Sequence, residues 1–332
     1  MDELKNFLLG DYRETMDYVK KVERYGLTKF PPLIISCAIT GGMHGKESNP
    51  NLPEEPEEQA QQSYDAYNAG ASMIHIHARD PINAWATSST PEAFKKVNAL
   101  VRAKCPDVII NNTCVGGRRF DEEKNKMNDP LLYSLEAQPE VGSVDITCYS
   151  MIRDMKDRKE PLRSPREAFK WNYNYVCTQN DAVKTTKMLR EKGTKPEFEM
   201  FSLNDVKYIG TLLKEDAIEE PYWFQMLFGG SGVYPCAEMM MLAAKLLPEK
   251  SLFSVIGVGA CQSAMITLAI ALGHHVRVGL EDNLFYGPHD LAKSNAQFVE
   301  RVVRIAKELG RPIATPAQAR EMMGLGAPRS YH

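Results

Sequence analysis

The chain lacks most of the features that mark specialised protein classes. It has no C-x-x-C pair; its seven cysteines stand apart at 37, 105, 114, 148, 177, 236 and 261. An odd, widely spaced set argues against a disulfide framework or a thiolate zinc finger. It reads instead as a reduced cytosolic protein whose cysteines are small buried hydrophobes. No run approaches the ~18 consecutive apolar residues of a membrane span. Neither sign of charge is in excess: 40 Lys+Arg face 43 Asp+Glu, a net charge of -3. That weak field excludes a polybasic nucleic-acid binder or membrane anchor. The opening Met1-Asp2-Glu3 lacks the basic segment and apolar run of a secretory signal, so the expected location is cytoplasmic. What is present is 43% hydrophobic and 25% charged residues, enough for a full-size core and too ordered a composition for a disordered or fibrous chain.

Short β-rich runs alternate with amphipathic helical runs. The strand-like runs are 33–39, 71–77, 107–111, 143–148, 196–201, 222–227, 252–257 and 275–279. Helices are expected from Pro56 to about Gly70, from Thr90-Pro91-Glu92 to about Ala103, and near 181–192, 204–214, 236–246 and 261–272. A last long helix carries Phe298, Val302, Ile305 and Leu309 at helical spacing, and Thr315-Pro316 opens a short terminal one. Eight βα units imply a parallel sheet closed into a (β/α)8 TIM barrel. An open doubly wound sheet usually carries a G-x-G-x-x-G fingerprint after its first strand, and Ile39-Thr40-Gly41-Gly42-Met43 is not one. Two regions exceed the barrel. Residues 1–31 read as an N-terminal helical arm before a single catalytic domain over 32–332. Residues 117–142 and 150–170 read as long, charged βα-loop insertions.

His75-Ile76-His77 closes the second strand. Residues i and i+2 of a strand share a face about 6.5–7 Å apart, so the two imidazoles are placed to share one divalent ion at the barrel's C-terminal mouth. Strands 8 and 2 both flank strand 1 in a closed barrel, their ends roughly 10 Å apart. Strand 8 runs into Arg277-Val278-Gly279-Leu280-Glu281-Asp282. Glu281 is thus the natural third ligand, and two histidines with one carboxylate make a catalytic zinc set. Asp282 is available as a base, with Arg277 to orient it or to hold a substrate carboxylate.

Four stretches carry a family resemblance: "ISCAITGGMHGKESNPNLPEEPEEQA", "AGASMIHIHARD", "HHVRVGLEDNLFY" and "LAKSNAQFVERVVRIAKELGRPIATPAQAR". From about residue 32 to the C-terminus the chain resembles the beta-keto acid cleavage enzyme family. The resemblance implies a zinc-binding (β/α)8 barrel, typically a homotetramer, that converts a β-keto acid and acetyl-CoA into acetoacetate and a new CoA thioester. It implies His75, His77 and Glu281 as zinc ligands, Asp282 as general base beside Arg277, and Glu199 as a carboxylate that organises the site. A small polar residue after strand 3 also belongs to the family site. Here Asn111-Asn112-Thr113-Cys114 leaves Thr113 and Cys114 both open as substrate-binding residues.

The departures bear on the substrate. Some members carry a glutamate after Thr-Gly-x, suited to a cationic substrate group; Met43 stands there here, which favours a neutral or acidic tail. Arg118 and Arg119 are available to read a second carboxylate. Gly257-Val258-Gly259-Ala260 lacks an arginine that often follows the family's Gly-x-Gly, which weakens the expected CoA-phosphate contact; Gly229-Gly230-Ser231-Gly232 offers backbone amides instead. His274 and His289, the latter expected in the helix after strand 8, read as ordinary barrel histidines; His44 and Lys46 lie over the mouth without an assigned role. The rival readings are a metal-dependent aldolase or hydrolase that does not use acetyl-CoA, and a non-catalytic barrel that binds a metabolite or partner.

Overall fold

The computed structural model describes residues 20, 30–114, 120–121, 126–127 and 133–331. Apart from Lys20, Phe30 and Pro31, the expected 1–31 arm lies outside these residues, and so do Arg118 and Arg119. Eight strands form one closed barrel: β1 Ile35–Ala38, β2 Met73–Ile76, β3 Ile109–Thr113, β4 Val141–Asp145, β5 Lys195–Met200, β6 Tyr222–Phe228, β7 Ser251–Gly257 and β8 His275–Val278. Every neighbouring pair is parallel, and β8 closes on β1 with Ser36 beside Arg277. The helices are α1 Pro56–Ala69, α2 Pro91–Lys104, α3 Gln179–Glu191, α4 Val206–Lys214, α5 Ala237–Leu246, α6 Gln262–Ala271, α7 Asn295–Glu308 and α8 Pro316–Met323. The architecture is the (β/α)8 barrel expected from the strand–helix rhythm. One unit departs from it: the described part of the β3–β4 connection holds, in place of an α-helix, a short antiparallel pair, Phe120–Asp121 with Lys126–Met127, and a 3₁₀ turn, Tyr133–Ala137. No helix among the described residues is long and apolar enough to cross a membrane.

Strand alternation sorts the side chains into two cores. Outward residues such as Ile35, Cys37, Ile74, Ile110, Phe224, Val255 and Val276 pack under the helices. Inward residues Ile34, Met73, Ile109, Val141, Trp223 and Leu252 form a separate apolar floor with Ala319 and Met323 of α8. That helix is held by the Thr315 capping box and by the bonds Leu33 N to Pro312 O and Ala314 N to Leu33 O. It stoppers the N-terminal end of the barrel. Above the floor the interior turns polar, with Ser36, His75, Asn111, Ser143, Glu197, Gln225 and Ser254 all buried. Glu197 there accepts bonds from Trp223 Nε1 (2.5 Å) and Asn111 Nδ2 (2.8 Å), and burial pushes it up to about 7.

The segment expected as a 150–170 loop is instead an antiparallel hairpin, Tyr149–Met155 paired with Phe169–Tyr175. Its residues alternate between half-buried and exposed. The physical reason is in the sequence: Tyr149, Met151 and Arg153, and Trp171, Tyr173 and Tyr175, recur at period two and give the ribbon one inner face. Beyond it, the stretch around Arg158 is anchored by charge. Its guanidinium, 1% exposed, donates to Glu47 Oε2 (2.6 Å) and to both oxygens of Glu54 (2.8 and 2.7 Å). Arg166 donates to Glu47 Oε1 (3.0 Å) and lies over the rings of Trp85 and Phe169. The hairpin is thereby strapped to the loop that follows β1. His289, expected in a helix, instead sits with φ 62° between the short strands Phe285–Gly287 and Asp290–Leu291.

Candidate active site

β2 delivers His75 and His77 to the open end of the barrel by simple alternation. Glu281 arrives differently. β8 ends at Val278, and Gly279 takes φ 144°, with its Cα so close to β1 that an added Cβ would lie 2.1 Å from the Ala38 carbonyl oxygen. Only glycine fits that approach. The turn is then pinned by Glu281 N to Ala38 O, by Asp282 N to Gly279 O, and by Leu280 N to the Asn295 side chain of α7. Glu281 is folded back over the barrel, 3.3 Å from His77 Nε2 through Oε1 and 3.7 Å from His75 Nε2 through Oε2.

The donor atoms of His75, His77 and Glu281 all lie within 4.8 Å of one another. Two further observations fit a divalent cation at this point. Glu281 Oε2 is buried without a hydrogen-bond partner. Burial, reinforced by Arg277, also holds His75 well below the usual imidazole range, so its ring is neutral, the ligating form. His77 Nδ1 is 2.8 Å from Thr87 Oγ1, which fixes the ring with Nε2 toward Glu281.

Arg277 is the hub of the neighbouring acids. It donates to Glu199 Oε1 (2.8 Å), to Glu281 Oε1 (2.8 Å) and, through two nitrogens, to Asp282 (3.1 and 3.0 Å). Burial pushes Asp282 up to about 7; Arg277 opposes the rise and Glu281 reinforces it. Glu281 itself is held well below the usual carboxylate range, because His77, Arg277 and His75 outweigh its burial. Three carboxyl groups on one guanidinium leave more acid than base, which also suits an added cation. Beyond Glu199 stands Asp145 of β4, hydrogen-bonded to Glu199 and accepting from Tyr149 Oη at 3.0 Å. Burial and then Glu199 raise Asp145 well above its ordinary value.

These groups share one cavity of about 230 Å³, also lined by Met43, Thr113 and, from the hairpin, Tyr149, Met151, Arg153, Trp171 and Tyr173. Thr113 and Cys114 thus separate. β3 runs through Thr113, which faces the cavity, while Cys114 points outward toward Gly142 and Leu189 and does not reach it. Burial pushes the Cys114 thiol up to about 12. Met43 lines the cavity as expected from its place after β1. His44 also lines it, with burial pushing its imidazole down to about 4. Arg79 holds the loop beneath them, donating to Thr40 Oγ1, to the Thr40 and His44 carbonyls and to the Trp85 carbonyl. Lys46 pairs with Glu58 at the base of α1, outside the cavity. Sequence reasoning missed Thr87, Asp145 and the hairpin residues.

Proteins of named activity match most of the chain. The 3-keto-5-aminohexanoate cleavage enzyme of Fusobacterium nucleatum is 37% identical over 88% of this chain and 98% of its own length. That of Acetoanaerobium sticklandii is 34% identical over 88% and 98%. The 3-oxoadipate:acetyl-CoA acetyltransferase of Cupriavidus necator is 27% identical over 89% of this chain and 95% of its own. Among solved structures, a binary complex of ObcA with oxaloacetate superposes with a TM-score of 0.60 at 18% identity, covering 83% of this chain and 68% of that one, a likeness of fold. The family profile described as beta-keto acid cleavage enzyme matches residues 32–325. The chain belongs to the beta-keto acid cleavage enzyme family.

Proposed function

We propose that the chain is an acyltransferase that cleaves a β-keto acid with acetyl-CoA, giving acetoacetate and a new CoA thioester. The observation that carries the reading is the convergence of His75, His77 and Glu281 with the Arg277–Asp282 pair on one cavity, in a chain of this family. His75, His77 and Glu281 would hold a divalent cation, which we take to be zinc from the donor set. When bound, it supplies Lewis acidity that polarises the keto oxygen and acidifies the methylene beside it. The residues do the rest. Asp282 takes the methylene proton, its raised value matching a base that works near neutrality. Arg277 holds that carboxylate in place and keeps Glu199 beside it. The substrate carbanion attacks the acetyl-CoA carbonyl and expels CoA thiolate. The thiolate adds to the original keto carbon; the carbon–carbon bond breaks, and the acetoacetate carbanion recovers its proton from Asp282.

Met43 supports a substrate different from those in the names of the first two relatives. A cationic tail would find a thioether there rather than a carboxylate. A homotetrameric assembly, which rests on the resemblance, and a cytoplasmic location, expected from the cysteine usage, belong to the same proposal. Light scattering of the purified protein checks the assembly.

The test is acetoacetate release from a panel of β-keto acids with and without acetyl-CoA. Consumption of the keto acid without acetyl-CoA, which cannot yield acetoacetate, would make the chain a metal-dependent aldolase or hydrolase. His75→Ala is expected to lose the metal by elemental analysis, and Asp282→Asn to keep the metal while losing turnover. Full activity in both variants would overturn the mechanism.

A further inference from the structure

The hairpin places one side chain in the cavity for which the chemistry above has no use. Arg153 lies directly across the ribbon from Trp171, on the face that carries Met151 and Tyr173. All four line the same cavity as the His75–His77–Glu281 group. The arginine is half-buried, and among the described residues it makes no hydrogen bond or ion pair. The acids of the cavity are engaged elsewhere: Glu199, Glu281 and Asp282 on Arg277, and Asp145 on Glu199 and Tyr149. The next residue, Asp154, points to solvent and pairs with Lys170. A guanidinium without a partner among the described residues, on a partly dried aromatic wall, is positioned to meet an anion.

The neighbourhood reinforces the sign. Arg79 and Lys156 stand with Arg153 as the cations around His44, whose own ring burial keeps neutral, and Met43 supplies no charge. The aromatic rings of Tyr149, Trp171 and Tyr173 would by themselves suit a quaternary ammonium. An arginine in the same wall repels one. The cavity, at about 230 Å³, is smaller than the ~300–1,000 Å³ usual for drug-sized ligands. A short-chain acid fits that volume.

We propose that Arg153 binds the far-end carboxylate of the substrate, so that the enzyme acts on β-keto dicarboxylic acids. The assignment rests on the acetyl-CoA-dependent reading above, with the keto acid end at the His75–His77–Glu281 group and the tail reaching the hairpin. A guanidinium offers the planar two-point match to a carboxylate that a lysine does not.

Two measurements on the metal-loaded protein separate this proposal from that reading. The first is turnover of 3-oxoadipate and of 3-oxohexanoate, with acetyl-CoA. Wild type is expected to prefer the diacid in kcat/KM. Arg153→Met is expected to lower kcat/KM for the diacid by about 10- to 100-fold, to leave the monoacid and the KM for acetyl-CoA unchanged, and to recover partly in Arg153→Lys. The second is calorimetric binding of adipate and of its monomethyl ester, with no CoA present. Adipate is expected to bind wild type more tightly than the ester, and Arg153→Met is expected to erase that difference. If no keto acid turns over, the reading of the reaction fails, and the Arg153 assignment still stands or falls on the calorimetry. Adipate binding that is unchanged in Arg153→Met overturns the assignment. So does a variant whose defect lies in the KM for acetyl-CoA, because the anion would then belong to CoA.

Discussion

Replacing Arg158 by alanine tests whether the site wall is held by buried charge. The guanidinium makes three bonds to carboxylates, to Glu47 and to both oxygens of Glu54, and a fourth from Nε to the Arg163 carbonyl at 2.5 Å. Its side chain is fully buried, and those of Glu47 and Glu54 are 2% and 4% exposed. Truncation leaves Glu54 with the Lys46 amide as its remaining donor. Glu47 keeps Arg166 and the Gly45 amide. Breaking a buried pair by removing one partner costs about 3–5 kcal/mol, because a desolvated charge is left behind. At ~2–4 °C per kcal/mol for a large domain, the unfolding midpoint should fall by roughly 6–20 °C. Amide exchange should rise first in the hairpin. Arg158→Met combined with Glu47→Gln and Glu54→Gln is the decisive companion. It removes all three charges together and should recover most of the loss. A shift under about 2 °C in Arg158→Ala, or a triple variant no better than the single one, would refute the view that buried charge straps the hairpin down.

Other consequences are open to direct measurement. Thr87→Val frees the ring of His77 and should weaken metal binding by about 10- to 100-fold in a chelator competition; unchanged affinity would show that the ring is oriented by packing alone. Glu197 titrates at about 7 in the fold against 4.5 for an ordinary glutamate. Its contribution to stability is therefore complete below pH 4.5 and lost as pH rises through 7. Between pH 4.5 and 8 wild type should lose up to about 3 kcal/mol relative to Glu197→Gln, read from urea midpoints across pH; parallel curves would contradict the assignment. Gly279→Ala sets a methyl against the Ala38 carbonyl and should both destabilise the protein by more than ~1 kcal/mol and abolish metal binding. A variant that folds and binds metal normally would show that the turn adapts.

The barrel was readable because its signals are local. Eight runs of β-rich residues separated by helical periods admit few other closures, and His75-x-His77 needs nothing beyond strand alternation to place two rings together. Glu281 and Asp282 followed from closure, since β8 must return beside β1. What escaped depends on paths that chain order does not encode. Thr87 meets His77 because the loop after β2 doubles back, with Arg79 bridged to Thr87 in a short antiparallel contact. Asp145 read as one more strand residue; its weight comes from Glu199 on β5, with which it is in register. Cys114 and Thr113 parted once β3 was seen to continue two residues further than expected. The hairpin did carry a period-two pattern in Phe169, Trp171, Tyr173 and Tyr175, but the charged, Pro-bearing stretch from Lys156 to Glu167 interrupts it and disguises two strands as one loop.

The turn at Gly279 has a mechanical meaning as well as a steric one. Glu281 and Asp282 are consecutive residues on a single short arc, and that arc is riveted once to β1 and once to α7. The carboxylate proposed as a ligand and the neighbour proposed as a base therefore travel as one piece. Any motion of the arc carries both backbones together, and Arg277, bonded to both side chains, fixes the distance between their carboxylates. The hairpin wall belongs to a separate element, so its residues can change while the spacing within the arc stays fixed.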